Sequence, residues 1–249
     1  PDLLKDLLED TRKMMKRNTN TFKDLRAYAG RVGHVANLMW SWRPFIDALW
    51  ATIFTEHSKD KRTFAPKGQF WTHQVRASLK WIELFLSSSD ATVVRSWPLA
   101  AYMSSAADCM IAFDASPWGL GGVLYIGGRA VEYLFDALTD VDEKRFDHEI
   151  GSDKGQQCWE CLAVLVCLRV WSRYWRCGKF TLGFRGDNVT ALTMAMKYKA
   201  SSTGVRTIAR EVALDLTHSP YPPIVYEHVP GIVNQTADIL SRRYDPSKS

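Results

Sequence analysis

Residues 110–122, MIAFDASPWGLGG, decide how the second half of the chain folds. An apolar run ends at Asp114 and is followed by a proline and three closely spaced glycines. The apolar run predicts a buried strand, and the glycines allow another group to approach the backbone closely. Asp114 could be an ordinary turn residue, but an acid between such a strand and such glycines favours a functional carboxylate beside a ligand.

Strands and helices alternate in the sequence on both sides of this stretch. Residues 107–113, 122–126 and 130–135 predict three strands, with a tight turn at Gly127 and Gly128. The other predicted elements are a polar loop over 136–155, a helix over 156–175, a strand over 179–185, helices over 188–197 and 203–218, a strand over 224–229 and a last helix starting near residue 234. Hairpin-linked strands followed by strand–helix crossovers predict an α/β fold, a mixed sheet with helices on its faces.

The first hundred residues predict a mainly α-helical region. Apolar residues recur there at helical spacing, Thr21 is placed to cap the second helix, and Pro44 is expected to interrupt the pattern. The predicted helices begin at residue 3 and cover 22–39, 45–50 and 71–86, with a polar linker over 56–67. We therefore predict two domains, a helical region over residues 1–102 and an α/β domain over residues 103–249.

Three further acids occupy contexts that match Asp114. Glu160 opens an apolar helical stretch, Asp187 ends a strand-like run, and Asp238 lies on the last predicted helix. Ligands bind beyond strand ends in open α/β sheets, so parallel pairing of the first and fourth strands would bring Asp114 and Asp187 together. Clustered carboxylates can hold two divalent cations about 3.5–4 Å apart against a phosphodiester, and oxygen ligands suit Mg²⁺.

Each of these acids also has an ordinary structural explanation. Asp187 could cap the following helix, Glu160 could be a favourable charge at a helix N-terminus, and Asp238 could form a surface salt bridge. The order of the four acids along the chain, each in its own context, favours a shared metal site over these separate explanations.

Four motifs carry a family resemblance: DASPWGLGG over residues 114–122, Glu160 at the start of an Ala/Leu-rich helix, GDN over 186–188 and HVPGIVNQTADILSR over 228–242. Together they resemble the ribonuclease H domain of retroelement reverse transcriptases, over residues 106–245. The resemblance implies a ribonuclease H-like five-stranded mixed sheet flanked by helices. It also implies a catalytic, metal-binding tetrad for two Mg²⁺ ions, or Mn²⁺, formed by Asp114, Glu160, Asp187 and Asp238. The implied activity is hydrolysis of the RNA strand of an RNA–DNA hybrid.

Two motifs in the first part of the chain, LRAYAGRVGHV over residues 25–35 and WRPF over residues 42–45, carry a second similarity. They are similar to the thumb that follows the polymerase palm in long-terminal-repeat and tyrosine-recombinase-type elements. No Tyr-x-Asp-Asp occurs in the sequence, so the chain itself carries no polymerase active site. The resemblance therefore implies a polymerase portion, fingers and palm, of the same polyprotein as a partner.

The resemblance to ribonuclease H also implies substrate contacts, from Ser116, Gly119, Gly121, Asn188, His228 and Asn234. The chain departs from the cellular enzymes, which carry a His after the Gly of the final loop, because here Ile232 follows Gly231. It also lacks a basic insertion between the later helices and has only Lys197 and Lys199 there. Hybrid binding would then depend on basic residues elsewhere.

The charge distribution identifies where those basic residues lie. Residues 1–100 contain 16 basic and 10 acidic residues, a balance of +6, whereas residues 101–249 contain 16 and 17, a balance of −1. This asymmetry suits a protein that grips a polyanion with one part and cuts it with the other, although ordinary solubility charge explains it equally well. The predicted contacts to the nucleic-acid backbone are Lys13, Lys16, Arg17, Lys23, Arg26 and Arg31.

Composition limits the remaining classes of protein. The longest apolar stretch, residues 161–170, is too short and too charged at its end to cross a bilayer, so no membrane partner is predicted. The five cysteines are odd in number, which indicates reduced thiols in an intracellular protein and no disulfide framework. The first residues lack a signal pattern and a Met, which predicts a piece of a longer chain.

Two alternative functions stay open from the sequence. An integrase or transposase of the same fold superfamily would also use clustered acids, but such enzymes typically place their Glu on a late helix. A catalytically inactive nucleic-acid-binding scaffold is the third possibility, and the presence of all four acids argues against it.

Overall fold

The computed structural model describes residues 2–54, 65–88, 93, 107–176, 181–200, 202–217 and 225–248. The chain divides into two compact units, Pro1–Ser96 and Trp97–Ser249. The predicted boundary between residues 102 and 103, and most of the predicted linker, lie outside the described residues. None of the described helices has the length and apolar composition that a membrane-spanning helix needs.

The first unit is mainly helical, as predicted. Its helices are α1 (Asp2–Met15), α2 (Phe22–Leu38), α3 (Arg43–Phe54) and α4 (Arg76–Ser87). The sequence did not predict two short strands, β1 (Thr19–Thr21) and β2 (Gln69–Trp71), which pair antiparallel. Each strand has only three residues, which is too short for an alternating pattern to be recognised.

Local chemistry explains where the helices of this unit begin. Thr21 caps α2 as predicted, because its side chain accepts a hydrogen bond from the Asp24 amide at 3.0 Å. Pro44 lies at the second position of α3 instead of interrupting it, since the first turn of a helix needs no amide proton there. The apolar faces of the helices meet in one core, which includes Leu25, Tyr28 and Trp42.

The second unit is built on a five-stranded mixed sheet. Its strands are β3 (Cys109–Ala115), β4 (Gly119–Ile126), β5 (Arg129–Ala137), β6 (Leu182–Gly186) and β7 (Val225–His228), in the spatial order β5-β4-β3-β6-β7. The first three are antiparallel, and β6 pairs parallel with both β3 and β7. Gly127 and Gly128 form the predicted tight turn, with φ of 55° and 77°. This topology confirms the predicted ribonuclease H-like fold class.

The helices of the second unit flank this sheet. They are α5 (Asp140–Phe146), α6 (Gln156–Val170), α7 (Arg173–Arg176), α8 (Val189–Lys197), α9 (Thr203–Thr217) and α10 (Gln235–Ser241). The loop predicted over 136–155 was wrong in part, because α5 lies within it. This helix is nearly all polar and buries only Phe146, so it has no apolar periodicity, but Thr139 and Asp142 form a capping box at its start. The helix predicted over 156–175 is two helices, with a break at Trp171.

Glycines in the opening motif let helices pack closely on the sheet. A Cβ on Gly121 would lie 2.5 Å from the Ser241 amide nitrogen and closer still to the Ala237 carbonyl oxygen, both in α10. A Cβ on Gly122 would lie 2.5 Å from Cys167 Sγ of α6. The motif predicts that its glycines leave space for a ligand, but at Gly121 and Gly122 the protein's own helices occupy that space.

Candidate active site

Two strand ends place the first pair of acids. Asp114 is the penultimate residue of β3, and Asp187 directly follows β6. The two strands run parallel, with Ala112 paired with Arg185, so their carboxyl ends meet at one edge of the sheet. The predicted proximity of Asp114 and Asp187 therefore follows from the pairing of β3 with β6.

Helix α6 adds a third acid to this edge. Glu160 lies in the second turn of α6 and is buried against the strand ends. One carboxylate oxygen from each of Asp114, Glu160 and Asp187 lies within 4.8 Å of the other two. Three carboxylates at this spacing form the only such group of potential metal ligands among the described residues.

Burial changes the acid–base properties of this cluster. Asp114 and Glu160 are each only 4% exposed. The pKa of Asp114 is raised to about 7, mainly by burial; the hydrogen bond from Ser241 opposes this rise, and the nearby charges of Asp187 and Asp238 add to it. Burial also raises the pKa of Glu160 well above its ordinary value, followed in size by the charges of Asp114 and Asp187.

Two side chains that the sequence analysis missed hold these carboxylates. Gln156 Nε2 donates to Glu160 Oε1 at 3.0 Å and lies 2.6 Å from the Ala115 carbonyl oxygen. Ser241 Oγ lies 2.6 Å from Asp114 Oδ2. Gln156 precedes Glu160 by one helical turn, and Ser241 lies within the final motif. Both residues could be noticed in the sequence, but only the structure shows that they bind Glu160 and Asp114.

The cluster is suited to a hard divalent cation. Glu160 Oε2 is buried and has no hydrogen-bond partner among the described residues, which leaves it available to a ligand. None of the ion pairs in the described part of the chain includes Asp114, Glu160 or Asp187. Buried carboxylates that repel each other are stabilised by a cation, and an all-oxygen ligand set fits Mg²⁺ or Mn²⁺.

Asp238 is not part of the group of acids whose oxygens lie within 4.8 Å of one another. It lies on α10, and its Oδ1 accepts a hydrogen bond from Arg242 Nε at 2.6 Å. The two residues form an ion pair between positions i and i+4. The structure brings three of the four predicted acids together, and the fourth forms the surface salt bridge that was its ordinary explanation. Its charge is nevertheless close enough to raise the pKa of Asp114.

Two residues predicted to contact substrate have internal roles instead. The buried Ser116 hydroxyl donates to the Ser241 carbonyl oxygen at 2.6 Å and accepts from the Gly119 amide at 3.1 Å. Asn234 is 4% exposed and donates from Nδ2 to the Phe113 carbonyl oxygen at 2.8 Å. Both therefore tie the ends of α10 to strand β3 and its turn. Gly119 is buried beside the same helix end.

The other two predicted substrate contacts lie beside Asp187. Asn188 caps α8, because its Oδ1 accepts from the Ala191 amide at 3.0 Å. His228 is exposed at the end of β7, and its Nε2 lies 3.0 Å from the Asp187 carbonyl oxygen. A carbonyl only accepts, so Nε2 carries the proton and Nδ1 of the neutral ring is left as an acceptor.

The predicted backbone-binding residues all belong to the first unit. Lys13, Lys16, Arg17, Lys23, Arg26 and Arg31 are exposed on α1, α2 and the turn between them. Arg31 forms an ion pair with Asp10. These positions agree with a solvated basic surface, and contact with nucleic acid stays a prediction.

No protein-family model matches the sequence, and no curated protein matches it. Among solved structures, RNase H1 from the halophilic archaeon Halobacterium salinarum NRC-1 is 20% identical over 55% of this chain and 97% of its own, with a TM-score of 0.42. LC11-RNase H1 in complex with RNA/DNA hybrid is 16% identical over 57% of this chain and 99% of its own, with a TM-score of 0.45. The foamy viral protease-reverse transcriptase dRH in complex with ds DNA is 14% identical over 89% of this chain, which covers 35% of that protein, with a TM-score of 0.32. These values describe a distant likeness.

Proposed function

We propose that this chain is a metal-dependent ribonuclease H that hydrolyses the RNA strand of an RNA–DNA hybrid. The observation that carries the proposal is the meeting of Asp114, Glu160 and Asp187 oxygens within 4.8 Å at the edge of the sheet. Folding places two of these acids out of water, which is unfavourable for a charged carboxylate unless a cation compensates. Because burying these carboxylates without a cation destabilises the folded protein, their position is best explained by the binding of a ligand.

The three clustered acids would hold Mg²⁺, with Mn²⁺ as a substitute, and Asp238 would complete the ligand set for a second ion. Two such cations would supply an activated water and would stabilise the charge that develops on the phosphate. Asp238 would reach that role by exchanging its ion pair with Arg242 for metal coordination, because a half-exposed pair contributes little on its own.

The surrounding side chains orient the site. Gln156 donates to Glu160 and thereby holds that carboxylate in one rotamer. His228 and Asn188 flank Asp187 at the exposed rim, where the sugar-phosphate of a bound hybrid would lie. With Nε2 bound to the Asp187 carbonyl oxygen, His228 would present Nδ1 to a substrate hydroxyl or to a departing proton.

We further infer that the chain is part of a retroelement reverse transcriptase. The thumb-like motifs over residues 25–35 and 42–45 support this context. The partner would be the polymerase portion, fingers and palm, of the same polyprotein. In this proposal the basic residues of α1 and α2 contact the phosphates of the hybrid.

The proposal is tested by cleavage of a hybrid with a labelled RNA strand, in Mg²⁺ and in EDTA. We expect cutting of the RNA strand with Mg²⁺, none with EDTA, and little cutting of duplex DNA, because a ribonuclease recognises the 2′-hydroxyl and the shape of the hybrid. Equal cutting of duplex DNA would favour the integrase or transposase alternative. Tight hybrid binding without cleavage in either Mg²⁺ or Mn²⁺ would favour the inactive scaffold.

A further inference from the structure

Ser241 is completely buried at the end of α10, and its hydroxyl reaches the carboxylate of Asp114. Its Oγ lies 2.6 Å from Asp114 Oδ2 and 2.9 Å from the main-chain oxygen of Asp238. An ionised carboxylate and a carbonyl both only accept, and one hydroxyl carries one proton. When Asp114 is ionised, as a metal ligand must be, the proton therefore points at Asp114, because the shorter bond to a charged acceptor is the stronger one.

This hydrogen bond restricts how Asp114 can turn. Rotation of the carboxylate would break the bond to Ser241, and at 4% exposure little water could replace it. Asp114 is therefore held in the orientation in which one of its oxygens lies within 4.8 Å of Glu160 and Asp187 oxygens. A ligand that is already oriented loses less conformational freedom when a cation binds.

A second buried hydroxyl, on Ser116, helps to distinguish two roles for Ser241: anchoring the end of α10 and holding the Asp114 carboxylate. Ser116 Oγ donates to the main-chain oxygen of Ser241 at 2.6 Å, which ties the same end of α10 to the turn after β3. No hydrogen bond between the Ser116 side chain and Asp114 occurs in the described structure. Ser116 thus anchors the helix without holding the carboxylate, whereas Ser241 contacts the carboxylate itself.

We propose that Ser241 is a positioning residue that orients Asp114 for divalent-cation binding. It acts through Asp114 and does not itself bind the cation. This inference rests on the proposed function, because it assumes that the clustered carboxylates hold a metal ion. In this proposal Ser241 affects metal affinity without being a ligand, from α10, the helix that also carries Asp238.

The test is calorimetric titration of the full chain with Mn²⁺ in the absence of nucleic acid. We expect Ser241→Ala to weaken Mn²⁺ binding about 10- to 100-fold, the usual cost of removing a hydrogen bond that orients a metal ligand. Ser116→Ala is the matched control, since it removes a buried hydroxyl from the same helix contact, and it should keep the wild-type affinity. Ser241→Cys retains only a weak donor and should fall between Ala and the wild type.

The outcomes separate this inference from the proposed function. Wild-type affinity in a folded Ser241→Ala variant overturns the positioning role, and so does equal weakening in Ser116→Ala. If Ser241→Ala does not fold, Ser241→Cys decides, because wild-type affinity in that variant also overturns the role. Asp114→Asn should weaken binding whether or not Ser241 matters. Wild-type Mn²⁺ affinity in Asp114→Asn, or no binding by the wild-type chain, overturns the metal site itself.

Discussion

The helical unit and the sheet unit differ in whether they bury acidic side chains. In the helical unit no described charged side chain is fully buried, and several form ion pairs, such as Arg12 with Glu83 and Arg31 with Asp10. In the sheet unit, Asp114 and Glu160 are each 4% exposed and lie beside another acid. Exposed ion pairs occur in both units, such as Arg169 with Asp215 in the sheet unit, but among the described residues only the sheet unit buries like charges together.

This difference separates charge that serves solubility from charge that serves chemistry. An exposed ion pair contributes about 0–1 kcal/mol and is screened by salt, so its loss is tolerated. A buried carboxylate without a cation opposes folding, so it does not contribute to the stability of the metal-free protein. The clustered, buried acids of the sheet unit are therefore explained by function, whereas the exposed ion pairs of the helical unit need no function.

Neutralising a clustered acid should have the largest effect. Asp114→Asn or Glu160→Gln should lower hybrid cleavage about a thousand-fold or more, since a metal centre supplies several kcal/mol and each 1.4 kcal/mol is about tenfold. Single-turnover cleavage in Mg²⁺ measures this loss. Asp153→Asn, an exposed acid outside the cluster, is the control and should cleave at the wild-type rate. Wild-type cleavage by Asp114→Asn would remove the distinction between the two kinds of charge.

The stability of the metal-free protein should fall as the pH rises. Burial raises the pKa of Asp114 from 3.8 to about 7, so the folded state binds a proton that the unfolded state has released between these values. The sign is therefore that stability is highest near pH 4 and decreases toward pH 7. The slope should approach about 1.4 kcal/mol per pH unit for one such carboxyl.

Urea unfolding in EDTA at several pH values measures this slope. Asp114→Asn should show a flatter dependence, because the titrating group is gone, and saturating Mg²⁺ should also flatten it by favouring the charged form. A metal-free wild-type protein that becomes more stable from pH 5 to pH 7, relative to Asp114→Asn, would contradict the buried state of Asp114.

Glycines in the two units should respond to alanine with opposite signs. Gly121→Ala places a methyl group against the backbone of α10 and should destabilise the protein by about 1–3 kcal/mol, with loss of cleavage. Gly30→Ala in α2 meets nothing within 4 Å and should stabilise the helical unit by about 1 kcal/mol. Thermal unfolding of both variants measures the comparison. Equal stability of the two variants would mean that α10 is not held close to the sheet.

Removal of exposed lysines should have the smallest effect for each residue changed. If Lys13, Lys16 and Lys23 contact phosphates, replacing all three with Gln should make the salt dependence of hybrid binding less steep. The slope of log K against log salt should decrease by about 0.7–0.9 for each contact that is lost. Binding is measured against salt in Ca²⁺, which should occupy the site with little turnover. Lys80→Gln, which removes a lysine that pairs with Glu83, is the control. An unchanged slope in the triple variant would show that this surface is only solvated.

Local patterns predicted much of the fold and the positions of the strand-end acids. The strands around Asp114 were predicted because apolar runs and glycine turns leave a local signal. Helix α5 was not predicted, because seven mostly polar residues with one buried Phe146 have no periodicity to detect. The short pair β1 and β2 was missed because three residues are too few for an alternating pattern, and because pairing between residues 19–21 and 69–71 is a long-range contact.

The acidic motifs, their order and the alternation of strands and helices can be predicted from the sequence alone, because each depends on neighbouring residues. Tertiary contacts determine that Glu160 lies beside Asp114 and Asp187 while Asp238 pairs with Arg242. They also determine that Gly121 admits a helix and that Ser241 holds Asp114. Strand register and helix packing set which distant side chains converge, and a carboxylate's burial and pKa depend on that convergence, so no local pattern could supply them.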